Sequence, residues 1–166
     1  LCTTPDLITT VRLAVANGVT MVQLREKTAT TAQRVQMALA LKEILIGTGV
    51  PLVVNDDVAA AVAADVDGAH IGQGDIYPAQ AGGRLGPGKS LGLSCETAQA
   101  VQAADPALVD YLGLGPVFGT ATKADHAQPI GLDGLAQLVA LSPLPNVAIG
   151  GLKSIHVSDV RESGAD

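Results

Sequence analysis

Gln23, Arg25 and Lys27 in MVQLREK (residues 21–27) stand two apart. In an extended strand this spacing puts an amide and two cations on one face, and Val22 and Leu24 on the other. On an exposed sheet such a face is merely solvated; at the mouth of a closed barrel it binds an anion. Asp56 and Asp75 each follow a further apolar run, PLVV and GAHIG. Parallel neighbours lie about 5 Å apart, so these carboxylates can share one cation, and Mg²⁺ commonly takes one or two carboxylates plus ligand phosphate oxygens. A single carboxylate here could equally cap a helix, and Asp57, directly before VAAAVAA, reads as that cap. GPVFGTATK (residues 115–123) adds the hydroxyls of Thr120 and Thr122 and the cation Lys123, which together suit a phosphorylated ligand unless the loop is plain surface. After NVAI, Gly150 and Gly151 let backbone N–H groups approach a second anion at a helix N-terminus. The chemistry so assembled is the handling of two anionic ligands with a divalent cation.

The elements that must position these residues alternate. Short apolar runs near residues 1–4, 20–25, 51–54, 68–72, 90–93, 110–114 and 146–149 are separated by helix-like stretches. Val35, Ala38, Leu41 and Leu45 recur at helical spacing, as do Ala98 and Val101, then Leu135, Leu138 and Val139, then Ile155, Val157 and Val160. Strands alternating with helices imply parallel pairing through crossovers. An open doubly wound sheet would carry a glycine-rich fingerprint after its first strand, and TTPD offers none. The Gly pair after the seventh run instead resembles the phosphate site of a (β/α)₈ TIM barrel. The expectation is a single α/β barrel domain over residues 1–166, truncated at its C-terminus, with the eighth strand and final helix missing from this sequence.

Composition narrows the partners. Hydrophobic residues make up 48%, aromatics only 2%, and the net charge is −6, so neither nucleic acid nor an anionic membrane finds its electrostatic footprint. No apolar run reaches the ~18 residues of a membrane span. Cys2 and Cys95 lack both metal spacing and a disulfide framework, which suits a reducing cytoplasm. Cys95 reads as a small core thiol, His70 as a packed or rim histidine, and His126 and His156 as loop and helix-surface residues.

QLREK, VVNDD, GAHIGQGD, GLSC, GPVFGTATK and AIGG, in this order after successive strands, resemble the thiamine-phosphate synthase family over nearly the whole chain. The resemblance implies a transferase of thiamine biosynthesis that joins hydroxymethylpyrimidine diphosphate to thiazole phosphate, releasing pyrophosphate. It implies that Asp56 and Asp75 hold Mg²⁺ on the diphosphate, while Arg25, Lys27 and Lys123 act as the catalytic cations that neutralise the departing oxygens. It further assigns Gln23, Asn55 and Ser94 to orienting the pyrimidine and diphosphate, and Thr120, Thr122 and Gly151 to the thiazole phosphate. The alternatives are another phosphate-binding barrel enzyme, of thiazole tautomerase or sugar-phosphate isomerase or lyase type, and a non-catalytic barrel that binds thiamine precursors. Homo-oligomerisation and fusion to another thiamine-biosynthesis domain stay open.

Overall fold

A computed structural model describes residues 4–119 and 128–166. Strands and helices alternate: α1 (Thr4–Ala16), β1 (Val22–Leu24), α2 (Thr31–Leu45), β2 (Leu52–Asn55), α3 (Val58–Ala63), β3 (Gly68–Ile71), α4 (Pro78–Leu85), β4 (Ser90–Cys95), α5 (Ala98–Ala103), β5 (Tyr111–Leu114), α6 (Gly131–Leu141), β6 (Asn146–Ala148) and α7 (Val157–Glu162). The apolar run expected at residues 1–4 falls on 1–3, outside the described residues, and Thr4, which already opens α1. Among the described residues no helix is long and apolar enough to cross a membrane.

The chain forms two compact units, residues 1–71 with 75–90 and residues 72–74 with 91–166. In the first, β1, β2 and β3 pair in parallel, with Leu24 opposite Val54 and Asn55 opposite His70. Leu52, Val53, Val54, Ala69 and Ile71 are fully buried, the continuous apolar pattern of a parallel strand covered on both faces. The helical periodicity of the sequence is borne out in α2, where Ala38, Leu41 and Leu45 form the buried stripe. Thr30 and Gln33 close the start of that helix as a capping box, an arrangement worth about 1 kcal/mol.

Surface charge adds one local clasp in this unit. Asp65, at φ 48°, accepts from Lys89 Nζ at 2.7 Å and Lys42 Nζ at 3.0 Å. Hydrogen bonds from Lys89 and then Lys42 hold its carboxyl down to about 2. A depressed carboxylate stabilises the fold above its unfolded value near 4 and loses that contribution as pH falls toward about 2. Asp65→Asn, which tolerates the left-handed backbone, is therefore expected to flatten the melting temperature against pH between those limits. The difference should shrink in 1 M salt, because both partners are solvent-accessible.

In the second unit β4, β5 and β6 pair in parallel, with Ser94 opposite Gly113 and Leu114 opposite Ala148. Thr97 caps α5 by accepting from Ala100 N at 3.1 Å, and Val101, Leu135 and Leu138 are buried as their spacing requires. The stripe expected from Ile155 and Val157 is not a core stripe. A single 3₁₀ turn over Ser154–His156 precedes α7, which breaks the α-helical phase and leaves Ile155 and Val157 exposed.

Candidate active site

The first unit carries a cleft of about 530 Å³ lined by Arg25, Lys27, Asn55, Asp56 and Asp75, along with Arg34 and Arg84. Strand β1 ends at Leu24, so Arg25 and Lys27 lie on the segment leaving it. Asn55 ends β2. Asp56 follows with φ 63°, a left-handed conformation that asparagine and aspartate tolerate better than other side-chain-bearing residues. Its N–H donates to the His70 carbonyl at 2.8 Å, which turns the chain sharply off the sheet and aims the carboxylate into the cleft.

Asp56 and Asp75 are brought together. Their side chains share a hydrogen bond, and the Asp56 carboxyl is pushed up by burial, then by the Asp75 charge and that hydrogen bond, against the opposing pull of Arg25 and Lys27. Two carboxylates can share a hydrogen bond only if one keeps a proton, and a cation bound between them takes that proton's place. Hard oxygen donors from two carboxylates, with room beside them for phosphate oxygens, fit Mg²⁺. The parallel register of β2 and β3 brings both chain exits to the same end of the sheet, which allows this meeting.

The surrounding segment is held by local bonds. Glu26 accepts from the Thr28 N–H and hydroxyl at 2.8 Å each, which turns the chain and holds the Glu26 carboxyl below its ordinary range. Asp57 caps α3 as expected, accepting from Ala60 N at 2.9 Å, and also accepts from Thr31 Oγ1 at 2.8 Å and pairs with Arg34 at 2.9 Å. Burial works to raise the Asp57 carboxyl, but the Ala60, Thr31 and Arg34 bonds outweigh it and hold it low. Asp57 is thus held toward its charged form, while the neighbouring Asp56 carboxyl is pushed the opposite way.

Not every expected site residue joins this cleft. Gln23 is exposed and is not among the lining residues. Ser94, in the second unit, is half-buried, and its carbonyl accepts from Gln73 Nε2 at 2.8 Å. Thr120, Thr122 and Lys123, like His126 and Cys2, lie outside the described residues. Gly150 and Gly151 take φ of 89° and 68°. A side chain on Gly151 would sit 2.6 Å from the Phe118 carbonyl oxygen and 2.7 Å from that of Gly119, so close approach of the 116–119 loop already requires glycine there. His156 stacks on Phe118 with ring centroids 4.2 Å apart. His70 is packed in the core, and burial pushes the Cys95 thiol up to about 11, which keeps it inert.

Arg34 and Arg84 are cleft residues that spacing along strands does not reveal. A signal for Arg34 does exist in its position in the opening turns of α2, because the start of a helix that follows a strand lies at the strand's C-terminal end.

Comparison with known proteins supplies the family context. The sequence profile described as thiamine monophosphate synthase matches residues 1–166. A thiamine-phosphate synthase of Psychrobacter sp. is 49% identical, covering 99% of this chain and 78% of that protein. One from Xanthobacter autotrophicus is also 49% identical, covering 96% of this chain and 76% of its own length. Among solved structures, thiamine phosphate pyrophosphorylase from Pyrococcus furiosus superposes with a TM-score of 0.85 at 31% identity, over 96% of this chain and 76% of that one. The α/β class with a barrel-type order of elements, expected from the sequence, is borne out by that likeness.

Proposed function

Because the chain belongs to the thiamine monophosphate synthase family, we propose that its Asp56–Asp75 pair and the cations beside it drive pyrophosphate out of hydroxymethylpyrimidine diphosphate. The activity is thiamine-phosphate synthesis, a transferase reaction of thiamine biosynthesis. The observation that carries the site assignment is the contact between the Asp56 and Asp75 carboxyls with Arg25 and Lys27 acting on it.

Breaking the bond between the pyrimidine methylene carbon and the diphosphate sends an electron pair out with the leaving group. Arg25 and Lys27 meet that growing negative charge on the diphosphate oxygens, and Lys123 adds a third positive charge. Asp56 and Asp75 would hold Mg²⁺, which when bound supplies Lewis-acid charge neutralisation on the same oxygens. The pyrimidine methylene is left electron-deficient, and the thiazole nitrogen supplies the pair for the new carbon–nitrogen bond. No nucleophilic side chain takes part; preorganised charge does the catalysis. Gln23, Asn55 and Ser94 orient the pyrimidine and diphosphate, and Thr120, Thr122 and Gly151 receive the thiazole phosphate. The same reading takes residues 1–166 as one (β/α) barrel domain that works in the cytoplasm.

Incubation with both phosphorylated precursors, with and without Mg²⁺, tests the proposal. Thiamine phosphate and pyrophosphate are expected in equal amounts with Mg²⁺ and neither after chelation with EDTA. Turnover that persists undiminished in EDTA would remove Asp56 and Asp75 from the metal role.

A further inference from the structure

Arg34 is unusual in its place. It sits four residues into α2, where the helix dipole disfavours a cation. Its guanidinium is nevertheless largely buried, with the side chain 18% exposed and that of Asp57 11%. All three of its nitrogens are engaged: Nε donates to the Glu26 carbonyl at 2.7 Å, Nη2 to the Lys27 carbonyl at 3.3 Å, and Nη1 to Asp57 Oδ2 at 2.9 Å. Three of its five N–H donors are thus spent on the protein itself. They grip two segments, the one carrying Arg25 and Lys27 and the one carrying Asn55 and Asp56.

We infer that Arg34, held by Asp57, is a positioning residue that sets the Arg25–Lys27 segment and the Asn55–Asp56 segment at the separation a metal-bound diphosphate requires. Three reasons support it beyond packing. The bonds go to the carbonyls of Glu26 and Lys27 themselves, so they fix the backbone from which Lys27 projects. Asp57 directly follows Asp56 and is anchored from three sides, by Ala60, Thr31 and Arg34, which leaves the left-handed turn at Asp56 little freedom. The planar fork of arginine can serve three acceptors in fixed directions, and a lysine ammonium cannot reproduce it. The inference rests on the site proposed above.

The test compares Arg34→Lys, Asp57→Asn and the double variant with the parent protein. Calorimetric titration of Mg²⁺ with inorganic pyrophosphate as the probe reads the site without turnover. Steady-state kinetics give separate KM values for the diphosphate and the thiazole phosphate, and thermal unfolding gives stability. Arg34→Lys is expected to weaken pyrophosphate–Mg²⁺ binding about 10–100-fold, the usual cost of disturbing groups that orient a metal site. The KM for the diphosphate should rise in parallel, with that for thiazole phosphate within about twofold. Asp57→Asn keeps a cap acceptor and should reproduce the effect if Arg34→Lys does not fold, and the double variant should be no worse than the more affected single one. Unchanged pyrophosphate binding alongside a lowered melting temperature would overturn the inference, as would equal losses for both substrates. Failure of the parent protein to turn over while it still binds Mg²⁺ with pyrophosphate would count against the functional reading and leave the role of Arg34 to the titration.

Discussion

Asp75→Asn is expected to lower Mg²⁺-dependent pyrophosphate release by about 10³-fold, the scale of losing a preorganised charge partner, while leaving the metal-free protein at least as stable as before. Activity and stability should move in opposite directions because the Asp56–Asp75 contact opposes folding when both groups are ionised. Burial, and then the neighbouring carboxylate, raise the Asp56 carboxyl above its ordinary value. A raised carboxylate binds a proton more readily in the folded than in the unfolded chain. Stability therefore grows as pH falls through the window between the two values and is lost as pH rises through it. That trend is opposite in sign to the one set by Asp65. Removing Asp75 should weaken the Asp56-linked trend, leaving the part that burial causes, and should raise the melting temperature at neutral pH. Mg²⁺ should stabilise the parent protein and not the variant. Asn is the right replacement at Asp56 too, because Ala at φ 63° would add about 1–2 kcal/mol of backbone strain and confuse the reading. A variant that kept its Mg²⁺-dependent turnover would show that these carboxylates do not serve the metal.

Residues whose role follows from topology could be read from the sequence. Once the runs at PLVV and GAHIG are parallel neighbours, Asp56 and Asp75 fall at the same end of the sheet and can share a cation, and Asp57 before an alanine-rich helix is placed to cap it. The same topology puts Arg25 and Lys27 at a strand end, but the single strand face shared with Gln23 that their spacing suggests does not form, because β1 stops at Leu24. Arg34 could not be read that way, because its role depends on an acceptor 23 positions away and on two backbone carbonyls, and no local periodicity encodes such bonds. Gly150 and Gly151 suit anion approach by position, yet the geometry shows a second sufficient reason for glycine: Pro116 crowds Gly150, and the Phe118 and Gly119 carbonyls crowd Gly151. A glycine pair is thus ambiguous from sequence even when its position in the chain is right. Ile155 and Val157 mislead for a different reason: helical spacing identifies a face only where the chain keeps α-helical phase, and a 3₁₀ turn intervenes.

Lys27→Met is expected to cut kcat/KM for the diphosphate by about 10²–10³-fold with a melting temperature within about 1 °C of the parent. Met retains most of the apolar stem, so the substitution removes charge with little loss of packing. Lys27 is exposed, and an exposed cation contributes little to stability, whereas the same cation facing a dense anion contributes much to a transition state in which that anion gains charge. A second effect follows from its influence on Asp56. Lys27 and Arg25 both act to lower the Asp56 carboxyl against burial and Asp75, so removing Lys27 pushes that carboxyl further up. The rise of kcat/KM with pH on the acid side should then move to higher pH, because a proton competes longer with Mg²⁺ for the pair. Excess Mg²⁺ should restore part of the pH shift but not the loss in rate, since the metal can displace the proton but cannot replace the positive charge that Lys27 placed on the leaving group. A rate loss fully cured by Mg²⁺ would mean that Lys27 acts only through Asp56 and never meets the diphosphate.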